Sequence, residues 1–215
     1  MTVIGLNPKR CAVCGHEGKF PVMHSYTIFE NSDLDGRPGE MLRGTMWTWV
    51  ERCLNCNYCG RRIEHVEDER FTQMVYEASY QQLFQNVKEE IELVVAFKAA
   101  SYLQEKIENW KSAAKFSVYN AWIWDDEENE TEAIRARKWA IMLLEKADPS
   151  TLDEEEICLL ADLYRRVGDF GNAMRWCDIG FEKAEENGNQ ELHKVITTQK
   201  QLTLIKDQRC CKRSK

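Results

Sequence analysis

No stretch of this 215-residue chain approaches the roughly 18 consecutive apolar residues that a bilayer-spanning helix needs. A transmembrane segment is therefore excluded from the reading. The first ten residues have no basic segment leading into an apolar one, so no secretory signal is visible. Basic excess is missing as well, since 29 Lys and Arg face 36 Asp and Glu for a formal net charge of −7. Proteins that grip nucleic acid concentrate positive charge to displace counterions from phosphates, and this chain does not. Histidine is scarce, and its four copies (His16, His24, His65, His193) are scattered. There is no H-E-x-x-H, no G-x-S-x-G and no glycine-rich phosphate loop, so no catalytic constellation supports an enzyme.

Charged residues at 30% and hydrophobic ones at 43% are the balance of a soluble globular protein of one or two domains with a substantial core. The charge is unevenly shared. Residues 1–65 carry eight Lys/Arg against seven Asp/Glu, whereas 66–215 carry 21 against 29. Cysteine is the abundant exception. Nine cysteines, an odd number without a secretory signal, point to a reducing, cytoplasmic setting where paired thiols mean metal more often than disulfide.

Five of the nine fall into two groups, Cys11-Ala-Val-Cys14-Gly and Cys53-Leu-Asn-Cys56-Asn-Tyr-Cys59-Gly, with 38 residues between the two C-x-x-C pairs. Each C-x-x-C forms a tight turn whose thiolates converge on one ion, and two such turns make the tetrahedral set of a structural Zn2+ site. The predicted ligands are Cys11, Cys14, Cys53 and Cys56. Reduced core cysteines, or an iron–sulfur site suggested by C-x-x-C-x-x-C, are the competing readings. Cys59 is the spare thiol, and His16 and His24 lie near enough to compete as ligands. Four cysteines at knuckle spacing outrank both histidines.

Residues 20–30 (FPVMHSYTIFE) alternate as a strand, and 44–53 (GTMWTWVERC) do so more clearly, with Trp47 and Trp49 on one face. The expectation is a small antiparallel sheet that brings the second knuckle opposite the first, with the tryptophans packed against the helical half of the chain. Between these strands, Asn31-Ser-Asp33-Leu-Asp35-Gly36 matches the opening of a calcium loop, but position twelve is Leu42 and the flanks are not helical. A tight Asx-turn loop with Arg37 pairing to Asp33 or Asp35 accounts for the same residues.

From about residue 70 the period becomes helical. Ile91, Val94, Val95, Ala99, Tyr102, Leu103 and Ile107 recur at i, i+3, i+4, and Trp110, Ala113, Ala114, Ser117, Val118, Ala121 and Trp122 do so again. The acidic run 125–130 (DDEENE) breaks the pattern before Ala133, Ala136, Ala140, Leu143, Leu144 and Ala147 resume it. Residues 151–154 (TLDE) read as a capping box. An internal repeat is also visible: Trp124, Ala133 and Ala140 align with Tyr164, Ala173 and Gly180 at an offset of 40 residues. Large aromatic, turn, small residue, small residue is the pattern of a tetratricopeptide-like helix pair, with a longer link than the standard 34-residue repeat. A closing helix is expected from about 189 to 209.

The order CxxCG, DLDGRP, tryptophan-bearing strand into CxxC, then helical repeats resembles the bacterial domain-of-unknown-function 2225 family over nearly the whole chain. That resemblance implies ligands at Cys11, Cys14, Cys53 and Cys56 with tetratricopeptide-like helices after them, and no known reaction. Ala12 and Leu54 stand where the family has proline. Asn57 stands at its second glycine, where it tolerates the left-handed conformation nearly as well. Cys59 falls where the family has a small residue.

The predicted fold class is α+β, predominantly α. A zinc-ribbon-like domain spans 1–66, a helical repeat domain 67–209, and a flexible basic tail 210–215 in which Cys210 and Cys211 are surface thiols. The predicted function is a non-enzymatic, zinc-stabilised interaction protein whose repeats take a protein or peptide partner. Two alternatives are a nucleic-acid-associated zinc ribbon, using Arg52, Arg61 and Arg62 with Trp47, Trp49 and Tyr58, and a thiol switch in which Cys59 oxidises beside Cys56.

Overall fold

The computed structural model describes residues 2–85 and 91–213. The fold is α+β and predominantly α. β1 (Val3–Arg10) and β2 (Glu17–Ser25) form an antiparallel hairpin with Arg10 opposite Glu17 at its closed end. β3 (Glu51–Arg52) and β4 (Cys59–Gly60) form a second, shorter one. Each C-x-x-C lies in the loop of one hairpin.

This differs from the single sheet expected from strands at 20–30 and 44–53. The strand ahead of the first knuckle escapes a pattern search because Gly5 and Pro8 interrupt its alternation. Most of 44–53 is not a strand, because Arg43–Thr48 winds into a 3-10 turn. The Thr45 and Thr48 hydroxyls donate to the carbonyls of Leu42 and Thr45 at 2.7 and 2.8 Å. Such local side-chain bonds compete with a sheet ladder. The turn sends the two tryptophans apart: Trp47 is exposed, while Trp49 packs edge-on to Tyr119 and Trp122.

Among the described residues two single turns come next, α1 (Phe71–Met74) and α2 (Ala78–Gln81), and then six longer helices. These are α3 (Glu92–Lys106), α4 (Trp110–Asp126), α5 (Glu130–Lys146), α6 (Glu154–Arg166), α7 (Phe170–Asn187) and α8 (Gln190–Leu204). Neighbours in sequence pack against each other. Five of the six end alike, on a left-handed residue: Glu108, Glu128, Gly168, Gly188 and Lys206. The next amide then reaches back to satisfy a carbonyl of the last turn: Asn109 to Gln104, Asn129 to Trp124, Asp169 to Tyr164, Asn189 to Ala184 and Asp207 to Leu202, each at 2.9 Å. The Asn129, Asp169 and Asn189 side chains also cap the next helix, so one residue closes one element and opens another.

The α5–α6 link departs from this rule. Pro149–Thr151 forms a 3-10 turn there, and the capping box is made by Asp153 with Glu156 rather than at Thr151. The Thr151 hydroxyl donates to the Asp148 carbonyl inside that turn. Ala133, Ala140 and Ala173 are buried. Gly180 allows a close approach, since a Cβ there would sit 2.6 Å from Ile196 Cδ1 of α8. One continuous core runs from Cys11, Cys53 and Tyr58 through Phe71, Tyr80, Phe97 and Phe116 to Leu163 and Ile196.

The loop from 31 to 42 docks on the helices. Asp35, nearly buried, accepts from Trp122 Nε1 of α4 at 2.7 Å, from the Arg37 amide at 3.1 Å and from Arg166 of α6 at 3.4 Å. The Arg37 guanidinium does not pair with Asp33 or Asp35 but reaches Asp126, and Asp33 takes Arg43 instead. Both loop carboxylates are thus committed to arginines and an indole, the arrangement of a structural loop.

The chain after α8 is not loose as far as it is described. Leu34 N donates to Cys211 O and Arg213 N to Ser32 O, both at 2.8 Å, and the Arg213 guanidinium pairs with Glu155. Arg165, fully buried, donates to Asp162 and to the carbonyls of Asp207 and Arg209. Sequence reading treats 210–215 as a frayed tail because nothing local advertises these distant partners; 214 and 215 lie outside the described residues.

Candidate metal centre and helical groove

The two knuckles are built alike. Gly15 N donates to Cys11 O at 2.9 Å and Cys11 N to His16 O at 2.8 Å. In the second, Asn57 N donates to Cys53 O at 2.8 Å and Cys53 N to Tyr58 O at 2.9 Å. Gly15 and Asn57 occupy the equivalent left-handed position, with φ of 75° and 65°. Asparagine serves there because its side chain is anchored on both sides: Oδ1 accepts from Arg52 and Nδ2 donates to Gln81 Oε1.

All four predicted ligands come together. The Sγ atoms of Cys11, Cys14, Cys53 and Cys56 lie within 4.8 Å of one another, with Cys11–Cys56 at 3.8 Å and Cys14–Cys53 at 3.6 Å. These separations are far beyond a disulfide bond and match the edge of a tetrahedral sulfur cage, about 3.8 Å for metal–sulfur bonds of about 2.3 Å. The four thiols can hold a metal ion, and three of them are buried. Burial pushes the Cys11 and Cys56 thiols up from their ordinary range. At Cys14 burial acts the same way but is outweighed by hydrogen bonds from the Asn55 side chain and the His16 backbone, which bring it down to about 6. A metal ion bound here would replace their protons, and coordination would satisfy buried thiols of this kind.

His16 and His24 are exposed and outside the set. Cys59 is buried, its thiol turned to the Asn57 carbonyl at 3.4 Å, and burial pushes it up to about 12. Sequence reasoning missed the bracing around the ligands. Asn55 Nδ2 lies 3.5 Å from Cys14 Sγ. Tyr80 donates to Asn57 O and accepts from Cys59 N, while Gln81 donates to Cys56 O. Lys9 of β1 pairs with Glu51 of β3, whose other oxygen takes the Ile63 amide, tying the hairpins together. Only a tertiary fold brings α2 to the second knuckle, and no local signal announces it.

On the helical side, a groove of about 280 Å3 crosses α4 between α3 and α5. Ser101, Ser117 and Asn120 form its floor, and Tyr102, Trp124 and Trp139 its walls. Both hydroxyls are occupied with helix carbonyls, Ser101 with Ala113 O and Ser117 with Ala136 O. Asn120 is buried with its carbonyl oxygen unpartnered. Among the described residues no helix is long and apolar enough to cross a membrane. No family model, curated protein or solved structure matches the chain.

Proposed function

We propose that this chain is a non-enzymatic adaptor in which a structural Zn2+ on Cys11, Cys14, Cys53 and Cys56 folds the N-terminal hairpins against tetratricopeptide-like repeats that bind a protein or peptide partner. The observation that carries the reading is the groove across α4: apolar aromatic walls around a buried amide without a full set of partners are what a binding cleft offers a peptide. Zinc is supported by the all-thiolate set at tetrahedral spacing, and a closed shell of four thiolates leaves no position for a reacting water. The 40-residue offset and the buried small residues at Ala133, Ala140, Ala173 and Gly180 support the repeats, and the motif order supports kinship with the domain-of-unknown-function 2225 family. Nine unpaired thiols fit a cytoplasmic setting.

No observation favours the alternatives. Tyr58 is buried, Trp49 packs on Tyr119 and Trp122, and Arg52 lies over the ring of Phe84, which leaves Trp47, Arg61 and Arg62 as the exposed part of that surface on a chain of net charge −7. The buried, high-pKa Cys59 is poorly suited to rapid oxidation. Panning a displayed peptide library against the zinc-loaded chain tests the adaptor reading. Enriched peptides should share a consensus and lose about tenfold or more in affinity on Trp139→Ala. Failure to enrich any sequence family, or binding indifferent to both Trp139→Ala and Asn120→Leu, refutes it.

A further inference from the structure

The polar side chains on the floor of the groove across α4 are set to accept hydrogen bonds. Ser101 Oγ donates its hydrogen to Ala113 O at 2.8 Å and Ser117 Oγ to Ala136 O at 2.9 Å, so each oxygen is left with lone pairs alone. Asn120, one turn after Ser117 on α4, is 4% exposed, and its Oδ1 is buried without a partner. Its amide nitrogen is the only side-chain donor left among these three residues.

The walls complement that floor. Tyr102, Trp124 and Trp139 present aromatic rings, whose faces carry negative charge density. The chain's own lysines use such rings nearby: Lys106 Nζ lies 5.1 Å from the centre of the Tyr102 ring, and Lys146 Nζ 4.7 Å from that of Trp110. Glu105 and Glu132 also line the groove. Their partners, Lys146 at 3.9 Å and Arg135 at 2.8 Å, have side chains 42% and 74% exposed. Surface pairs of that kind hold weakly and can be exchanged for a ligand's cation. Lys98 and Arg135 match the two carboxylates in number, so the selection comes from floor and walls, within a helical half that carries 29 acidic against 21 basic residues.

We infer that the groove takes a basic side chain of the partner peptide, the ammonium of a lysine or the guanidinium of an arginine. Its N–H groups meet the accepting oxygens of the floor, and its charge meets the faces of Trp124 and Trp139. A neutral apolar side chain fills the same walls but leaves Asn120 Oδ1 buried and unpaired. The volume of about 280 Å3 is at the small end of ligand pockets, which begin near 300 Å3, and suits one long side chain rather than a helix. The inference rests on the adaptor reading and narrows it to partners that offer an exposed Lys or Arg.

The test uses the zinc-loaded full chain and three small probes, the N-acetyl methylamides of lysine, arginine and norleucine. The two basic probes should bind about tenfold more tightly than norleucine, read from saturable NMR shifts of the Trp124 and Trp139 indole N–H groups and the Asn120 side-chain amide. Trp139→Leu keeps apolar surface but removes the ring, so it should abolish the preference for basic probes while metal content and helical circular dichroism hold. Norleucine binding as tightly as lysine and arginine overturns the inference. So does a preference that Trp139→Leu leaves intact, or the absence of saturable shifts at these three residues. A panned consensus without Lys or Arg, lost on Trp139→Ala, also overturns it and leaves the adaptor reading standing. Basic probes that bind at these residues while no peptide family enriches refute the adaptor and uphold the site.

Discussion

Asp35→Ala should be among the most damaging single substitutions in the protein, although Asp35 lies in a loop and outside the four-cysteine cluster. The carboxylate is 6% exposed and accepts from the Trp122 indole, the Arg37 amide and the Arg166 guanidinium. Arg166 retains Asp125 at 3.1 Å when Asp35 is gone, so the main cost falls on two buried donors left without an acceptor. At about 1–3 kcal/mol for each stranded donor, and about 3–5 kcal/mol for breaking a buried pair, the loss should be about 4 kcal/mol. For a chain of this length that is a drop of roughly 8–16 °C in Tm. Asp35→Asn keeps one acceptor oxygen and should cost about half as much. Urea unfolding of the zinc-loaded protein measures both. A double-mutant cycle with Trp122→Phe isolates the indole bond and should return a coupling of about 1.5–3 kcal/mol, the range for a hydrogen bond to a charged group. A total loss below about 1 kcal/mol, or additivity in the cycle, would show that the loop is not what joins the two halves.

The same structure sets four further outcomes. Purified protein should contain one Zn2+ per chain, lost in Cys14→Ser and Cys53→Ser; given apparent binding energies of about 10–16 kcal/mol for such sites, chelation should unprotect both hairpins in hydrogen exchange, and full protection without metal would contradict the assignment. Asn57→Ala should cost about 1–2 kcal/mol more in denaturant unfolding than the backbone-neutral Asn57→Gly, because only the alanine is strained by the left-handed backbone. Gly180→Ala should lose about 1–3 kcal/mol to crowding against Ile196 and recover part of it with Ile196→Val, read by thermal melts. Hydrogen bonding from Arg213, aided by its charge, holds the Glu155 carboxyl below its ordinary 4.5, so this pair contributes stability that is fully present above that value and fades as pH falls through the lower, folded one; exchange protection at 32–34 should fall in that acid window and lose its pH dependence in Glu155→Gln.

Local chemistry was readable from the sequence wherever the cause was itself local. Cys11, Cys14, Cys53 and Cys56 converge because each pair carries its own turn, and Asn57 stands in for glycine as its left-handed tolerance allows. The helix faces at Val94, Val95, Ala99 and Leu103 are buried as their spacing predicts. What stayed hidden depended on distance. The partners of Asp35 come from residues 122 and 166, those of 211–213 from 32–34, and those of Cys56 and Asn57 from the α2 residues Tyr80 and Gln81. The misread strand at 44–53 has another origin: alternation of tryptophan and threonine satisfies a strand template, yet threonine hydroxyls can also close a turn, and only tertiary packing of Trp49 decides between the two.

The pairing of 211–213 with 32–34 also sets how the protein bears load. Tension applied at the C-terminal end does not pass first to α8. It enters through the Leu34–Cys211 and Ser32–Arg213 hydrogen bonds into the docked loop, and through the Arg213–Glu155 pair and the Arg165 bonds to Asp207 and Arg209 directly into α6. The α7–α8 hairpin lies off the direct line of that path, so these contacts must break before the full load passes along the chain through α8.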